Sequence, residues 1–228
     1  MHDFDQDYWE RQWGEGAPAG ADERSLPVNP YLMKQAQSMT PARALDAGCG
    51  TGVEAVWLAA QGWQVTGVDI SATALTSAQG RVQDAGVADR VDWVQADLTT
   101  WEPDQQYELV STNYAHASIP QLELYQRLAQ WVAPGGVLII VGHLHRSGAH
   151  HHQHHGSADA EPHPEEATVT VEAIASGFDP HQWRIDSAQE HTREVTVPGG
   201  RSTTPHDSTT PRDSTTLHDA VVIVRRLS

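Results

Sequence analysis

Arg43-Ala-Leu-Asp-Ala-Gly-Cys-Gly-Thr-Gly52 is the stretch whose reading decides the fold. Ala44 and Leu45 close a short apolar run that predicts a buried strand, and Gly48, Gly50 and Gly52 then let the backbone turn tightly beneath a ligand. Val53, Val56, Trp57 and Ala60 recur at helical spacing immediately afterwards, so a helix is expected to start at once. A glycine-rich loop between the C-terminal end of a strand and the N-terminal end of a helix is where nucleotide-like ligands bind in α/β sheets. A dinucleotide fingerprint needs Gly-x-Gly-x-x-Gly, and Val53 stands where its third glycine would be. A phosphate-binding Walker loop ends in Gly-Lys-Ser/Thr, whereas the only lysine of the chain is the distant Lys34.

Asp46 followed by Gly-x-Gly-x-Gly resembles motif I of the class I S-adenosylmethionine-dependent methyltransferases. The resemblance implies that Gly48, Cys49, Gly50 and Gly52 admit the methionine part of S-adenosyl-L-methionine and that Asp46 organises the loop and the ligand's ammonium. Gln64-Val-Thr-Gly-Val-Asp69 reads as the second strand. Its terminal Asp69, with Ile70 beside it, stands where the family keeps a carboxylate for the ribose hydroxyls; the plainer alternative is a cap for the next helix, a task that suits Ser71 better. Val91-Asp-Trp-Val94 alternates as a third strand, and the resemblance makes Asp97 the acceptor of the adenine amino group with Leu98 against the ring.

Tyr107 to Asn113 reads as a fourth strand, and residues at its C-terminal end face the crevice. Asn113, Tyr114 and His116 are therefore candidates for the reacting end. Members of the family that methylate amino groups often show Asn-Pro-Pro-Tyr here, and Asn113-Tyr-Ala-His116 departs from that pattern. Pro120 opens a helix carrying Leu124, Leu128 and Trp131, which Ala133-Pro-Gly-Gly136 is expected to end. Val137 to Val141 must be a central strand buried on both faces, and His143 just beyond it is a further candidate.

Asp7-Tyr-Trp-Glu-Arg-Gln-Trp13 is similar to the Trp-rich N-terminal segment of tellurite-resistance-type and thiopurine-type methyltransferases, which lids the cofactor, so residues 1–40 are expected to form a lid and helices with Trp13 over the ligand. Two tracts interrupt the pattern. Residues 143–163 hold eight of the 14 histidines. His150, His151, His152, His154 and His155 would be ligands for a transition metal if ordered, but the tract lacks any apolar period and reads as an insert over 144–161. A helix is expected from Pro164 to Ala175, then long strands over 182–197 and 220–224. Three hexads between those strands, Ser202-Thr-Thr-Pro-His-Asp207, Ser208-Thr-Thr-Pro-Arg-Asp213 and Ser214-Thr-Thr-Leu-His-Asp219, read as a loop insert over 201–218 at the tip of the last hairpin.

The alternation of strands and helices predicts one α/β domain over 1–228: a doubly wound seven-stranded sheet, mostly parallel, with the last strand antiparallel. A length of 228 residues and 39% hydrophobic content suit one such core. A formal charge of -16 repels phosphate backbones and anionic lipid, so neither nucleic acid nor a membrane surface is an expected partner. Cys49, the one cysteine, excludes an internal disulfide and fits the cytoplasm, as does the lack of a charged-then-apolar leader. The resulting expectation is methyl transfer to a small soluble acceptor. Two other readings stay open: a protein that binds the cofactor without turnover, and a metal buffer built on the histidine tract.

Overall fold

The computed structural model describes residues 4–14, 27–144, 168–196 and 214–228. Elements follow in the order α1 (Gln6–Trp13), α2 (Pro30–Gln37), β1 (Arg43–Ala47), α3 (Val53–Ala60), β2 (Gln64–Asp69), α4 (Ala72–Asp84), β3 (Val91–Gln95) and β4 (Tyr107–Asn113). The chain continues through α5 (Gln121–Gln130), β5 (Val132–Leu144), β6 (Thr168–Val169), α6 (Val171–Ser176), β7 (Trp183–Thr196) and β8 (Ser214–Arg226). Seven strands lie in the order β3-β2-β1-β4-β5-β8-β7, and the two-residue β6 adds to the end of β5. Strands β1 to β5 are mutually parallel, and β8 enters antiparallel to both β5 and β7. This is the doubly wound sheet with an inserted last strand that the sequence predicts.

Chain order reverses between β1 and β4, so the crevice opens at the C-terminal ends of these two neighbours. Both faces of the sheet are covered. Leu45, Val110, Leu138 and Ile140 point into one core with Leu124 and Leu128 of α5, and Ala44, Leu109, Val137 and Ile139 point into the other with Leu58, Trp63 and Val65. Alternation along β5 sends successive side chains to opposite cores, which is why Val137 to Val141 is apolar without a break.

Helix α3 starts at Val53, as the helical spacing predicts, and three local expectations after it are corrected. Helix α3 buries Ala55, Val56, Leu58 and Ala59. Val53 and Trp57 are half-buried and Ala60 is exposed, and Val53 borders the crevice. Ala133-Pro-Gly-Gly136 does not end a helix, since α5 stops at Gln130 and these residues belong to β5, where the register with β4 shifts between Tyr107 and Leu109. A Cβ on Gly136 would come within 2.9 Å of the Ala133 carbonyl oxygen and 3.0 Å of that of Tyr107, so the irregularity needs glycine. The helix expected from Pro164 is α6, starting at Val171 after a Thr170 cap whose hydroxyl accepts from the Ala173 N–H, and the β-branched pair before it joins the sheet.

The third correction bears on function. Strand β8 begins at Ser214, so the third hexad, expected in the loop insert over 201–218, is paired with β7, Leu217 lying opposite Arg193. The first two hexads carry proline at their fourth position and the third carries Leu217. Leucine keeps the N–H that a strand ladder needs and proline lacks. The first two hexads and the histidine tract from 145 lie outside the described residues.

Candidate active site

The loop after β1 is held from behind. The N–H groups of Gly48 and Cys49 both donate to the Val68 carbonyl, at 2.8 and 3.0 Å. Gly48, with φ +74°, could not be alanine without its Cβ coming within 2.3 Å of the Ala115 Cβ. Gly52, also at φ +74°, lies against the Trp93 ring, 2.5 Å from where its Cβ would stand. Cys49 is buried, and burial pushes its thiol well above the ordinary range, which suits packing and not nucleophilic work.

Two carboxylates frame this loop. Asp69 accepts from the Gly50 N–H at 2.8 Å and the Ser71 N–H at 2.9 Å, while the Ser71 hydroxyl caps α4 through the Ala74 N–H. Asp69 thus braces the loop as well as bordering the cleft, and each of its oxygens retains a second lone pair. Burial raises its carboxyl above the usual range, although the backbone donors Ser71 and Gly50 pull the other way. Asp46 is 2% exposed. Its Oδ1 accepts from the Ser111 hydroxyl at 3.2 Å, and its Oδ2, shielded from water, makes no hydrogen bond of ordinary geometry among the described residues, although the Ala55 N–H is near enough to favour the ionised form. Burial, reinforced by the Glu54 carboxylate, raises Asp46 well above the carboxylate range. Burial likewise raises Glu54, which accepts from the Asn29 N–H at 3.1 Å.

Around these groups runs an open cleft enclosing about 1030 Å³, its mouth included. Asp46, Gly48, Cys49, Gly50, Asp69, Ile70, Asp97, Leu98, Asn113, His116 and Trp13 all border it. Gly52 stands behind the loop and does not. Asp97 keeps its side chain turned back, accepting from the Thr99 N–H at 2.8 Å through Oδ1. Trp13 lies over the loop, two of its ring atoms within 3.1 and 3.2 Å of where a Gly50 Cβ would be. Helix α1, which carries Trp9 and Trp13 to the cleft, is fastened by Glu10: this carboxylate accepts from the Ser71 hydroxyl and from the Ala72 and Thr73 N–H groups at the start of α4. Hydrogen bonding, Thr73 foremost, holds Glu10 below its ordinary value.

At the other end of the cleft Asn113 ends β4, and neither side-chain polar atom of Asn113 has a partner among the described residues. Tyr114 follows with φ 56°, a left-handed conformation rare for a bulky residue. His116 Nδ1 lies 2.9 Å from Gln121 Oε1, and the Gln121 amide donates to the Ala115 carbonyl at 2.9 Å. That fixes the amide's orientation, so Nδ1 carries the His116 proton and the basic nitrogen of a neutral ring is Nε2. His143 does not border the cleft. Its ring packs on those of Tyr114 and His116, at 4.7 and 5.6 Å between centroids, and these two take the place the sequence suggested for it. Tyr8 packs on Phe4 and Trp9 and is likewise set back.

Sequence reasoning missed a cluster on the hairpin side. Asp219 is completely buried and accepts from Arg193 Nε at 2.8 Å, from the Tyr31 hydroxyl at 3.2 Å and from the Tyr114 hydroxyl. Arg193 Nη2 also donates to the Tyr114 oxygen at 3.0 Å. Burial and then Asp219 push Tyr31 up to about 12 and Tyr114 higher still, so both phenols are donors at neutral pH. Burial opposes the charge on Arg193, but Tyr114 and Asp219 outweigh it and the guanidinium's pKa rises. The signal available was Leu217 in the third hexad, which marks Asp219 as a strand residue.

The five histidines suggested as metal ligands lie outside the described residues, and among the described residues no group of three metal-ligating side chains gathers. No helix among them is long and apolar enough to cross a membrane.

Residues 44–136 match a family model described as a methyltransferase domain. Over 136 residues the chain is 31% identical to a protein of Arabidopsis thaliana named probable thiol methyltransferase 2, covering 58% of this chain and 60% of that one. It is 38% identical over 125 residues to trans-aconitate 2-methyltransferase of Paracidovorax citrulli, covering 52% and 45%. It is also 37% identical over 108 residues to ribosomal RNA small subunit methyltransferase C of Alcanivorax borkumensis, covering 44% and 32%. The chain therefore spans between 32% and 60% of these relatives' lengths. In fold it is similar to a methyltransferase of Geobacter sulfurreducens solved with S-adenosyl-L-homocysteine, with TM-score 0.55, 18% identity and coverage of 83% and 75%.

Proposed function

Because the chain belongs to the class I S-adenosylmethionine-dependent methyltransferases, we propose that it methylates a small acceptor seated in this cleft. The observation that carries the proposal is Asp46, a residue of the cleft lining whose water-shielded Oδ2 makes no hydrogen bond among the described residues, beside a loop that only glycine can build. Such an acid is costly unless a cation reaches it, and the ammonium of the cofactor is a cation of the right reach. Asp69 would take the ribose hydroxyls with its spare lone pairs, Asp97 the adenine amino group and Leu98 the ring face. Trp13, fastened through Glu10, would cover them.

S-adenosyl-L-methionine supplies a methyl group activated by a sulfonium, open to in-line displacement. The residues of this chain have mainly to hold the two reactants aligned and to keep water out, which contributes up to about 7 to 11 kcal/mol where orientation is good. Tyr114 cannot serve as a base, since its phenol keeps its proton far above neutral pH. His116 Nε2 is the group able to accept a proton, so a hydroxyl or amine acceptor would depend on it and a thiolate or carboxylate would not. A small acceptor is favoured over nucleic acid because of the charge of -16 and the aromatic lid, even though one relative is named for ribosomal RNA. The same acidity and the single buried thiol favour the cytoplasm. Binding without turnover and metal buffering find no comparable support.

The test is the full chain with S-adenosyl-L-methionine and a panel of thiols, carboxylates, phenols, amines, RNA and protein, reading S-adenosyl-L-homocysteine release. Turnover on small acceptors is expected, with His116→Ala losing activity on hydroxyl and amine acceptors far more than on thiols. Turnover on RNA or protein alone would overturn the acceptor class, and none on any acceptor would overturn transfer itself.

A further inference from the structure

Of the side chains that border the cleft, four are carboxylates, Asp46, Glu54, Asp69 and Asp97, and one is a guanidinium, Arg193. Arg193 comes from β7, at the other end of the strand order from β1, β2 and β3, whose ends carry Asp46, Asp69 and Asp97, and of the four carboxylates Glu54 is the one whose ionisation its charge favours. Its side chain is only 15% exposed. The geometry points to Arg193 as the anchor for an acid group on the acceptor, so that the substrate is a small organic anion. This rests on the methyltransferase reading given above.

A guanidinium offers five N–H donors. Here Nε goes to Asp219 and one Nη2 proton to Tyr114, and no hydrogen bond within the described residues takes either proton of Nη1. Asp219 is itself braced by Tyr31 and Tyr114, so the fork is held at fixed orientation on its inner side and faces the cleft on the other. Such a planar, immobilised fork matches a carboxylate in two-point contact better than any neutral group. Phe4, Trp9, Tyr114 and His116 supply aromatic walls nearby, which suit an acid carrying a flat ring.

Truncating Arg193 alone would strand the buried Asp219 carboxylate and risk unfolding, so the informative variant is Arg193→Gln with Asp219→Asn, which removes both charges together. Parent and double variant are first titrated with S-adenosyl-L-homocysteine and with 5′-methylthioadenosine, which lacks the amino-acid part. Each saturated complex is then titrated calorimetrically with benzoate and with benzamide, equal in shape and different in charge. The parent should favour benzoate about tenfold or more, and the double variant should lose that preference while keeping both nucleoside affinities within about threefold. Arg193→Lys should keep a reduced preference, because it restores the charge without the fork. Equal binding of benzoate and benzamide by the parent, or a preference that survives in the double variant, would overturn the inference. A double variant that loses S-adenosyl-L-homocysteine but not 5′-methylthioadenosine would assign the guanidinium to the cofactor's own carboxylate and overturn it too. A parent that binds neither nucleoside would instead refute the methyltransferase reading beneath it.

Discussion

Replacing Asp46 by asparagine should make the free protein more stable and the cofactor complex weaker. The residue is 2% exposed, its Oδ2 has no partner among the described residues, and the nearby Glu54 adds a second acid. Asparagine has the same shape and keeps the Ser111 contact through its carbonyl oxygen, so the main change is removal of a buried acid whose ionisation burial and Glu54 disfavour. Leaving a buried polar group unsatisfied costs about 1 to 3 kcal/mol, and more for a charge, so a gain on the order of 1 to 3 kcal/mol is expected near neutral pH. For a chain of this size that raises Tm by roughly 2 to 4 °C per kcal/mol. The sign of the pH dependence follows from the raised native pKa. The folded state keeps the Asp46 proton to higher pH than the unfolded chain, so parent stability from this group falls as pH rises from about 3.9 through the raised value, and the variant lacks that slope. Binding should move oppositely: losing a hydrogen bond to a charged group costs about 1.5 to 3 kcal/mol, roughly 10- to 150-fold in affinity for S-adenosyl-L-homocysteine. Thermal unfolding across pH and calorimetric titration of both proteins read the two effects. A variant no more stable than the parent at neutral pH that also binds as tightly would refute the reasoning.

Gly48→Ala, with φ +74° and Ala115 at 2.3 Å from the new Cβ, should destabilise by about 2 to 5 kcal/mol in urea unfolding, the sum of left-handed strain and overpacking, and adding Ala115→Gly should return the packing part. Glu10→Ala removes the acceptor for three donors at the start of α4, so α1 should become more open to proteolysis and stability should drop by about 0.5 to 2 kcal/mol, as for loss of a helix cap. Deleting residues 201–213 should leave Tm nearly unchanged, whereas extending the deletion through Asp219 should unfold the hairpin, since it takes the buried partner of Arg193, Tyr31 and Tyr114. Equal Tm values for the two deletions would contradict the role given to the third hexad.

What was legible in the sequence was local. Strand, glycine loop and helix lie within about twenty consecutive residues of one another, and period plus motif suffice to order them. The apolar run Val137 to Val141 announces a central strand for the same reason. Along α3, Val53, Val56, Trp57 and Ala60 fit a helical period as well as the buried set Ala55, Val56, Leu58 and Ala59 does, and only packing decides between two apolar faces. The hairpin cluster was invisible for a different reason. Tyr31 and Asp219 meet across 188 positions, Tyr114 and Asp219 across 105, and no period links residues brought together by sheet order alone. Repetition also concealed Asp219, because the first two hexads end in the same residue; only Leu217, standing where they have proline, sets the third apart. Glu10 meets Ser71 across 61 positions and was legible only as one charge in a Trp-rich helix.

The central claim, that the cleft between β1 and β4 takes S-adenosyl-L-methionine and its product, is tested most directly by calorimetric titration of the full chain with S-adenosyl-L-homocysteine. Saturable one-to-one binding is expected, and Asp69→Ala should weaken it by about 1.5 to 3 kcal/mol through loss of the acceptor for the ribose hydroxyls. Absence of binding at millimolar ligand, or an affinity unchanged in Asp69→Ala, would contradict the account.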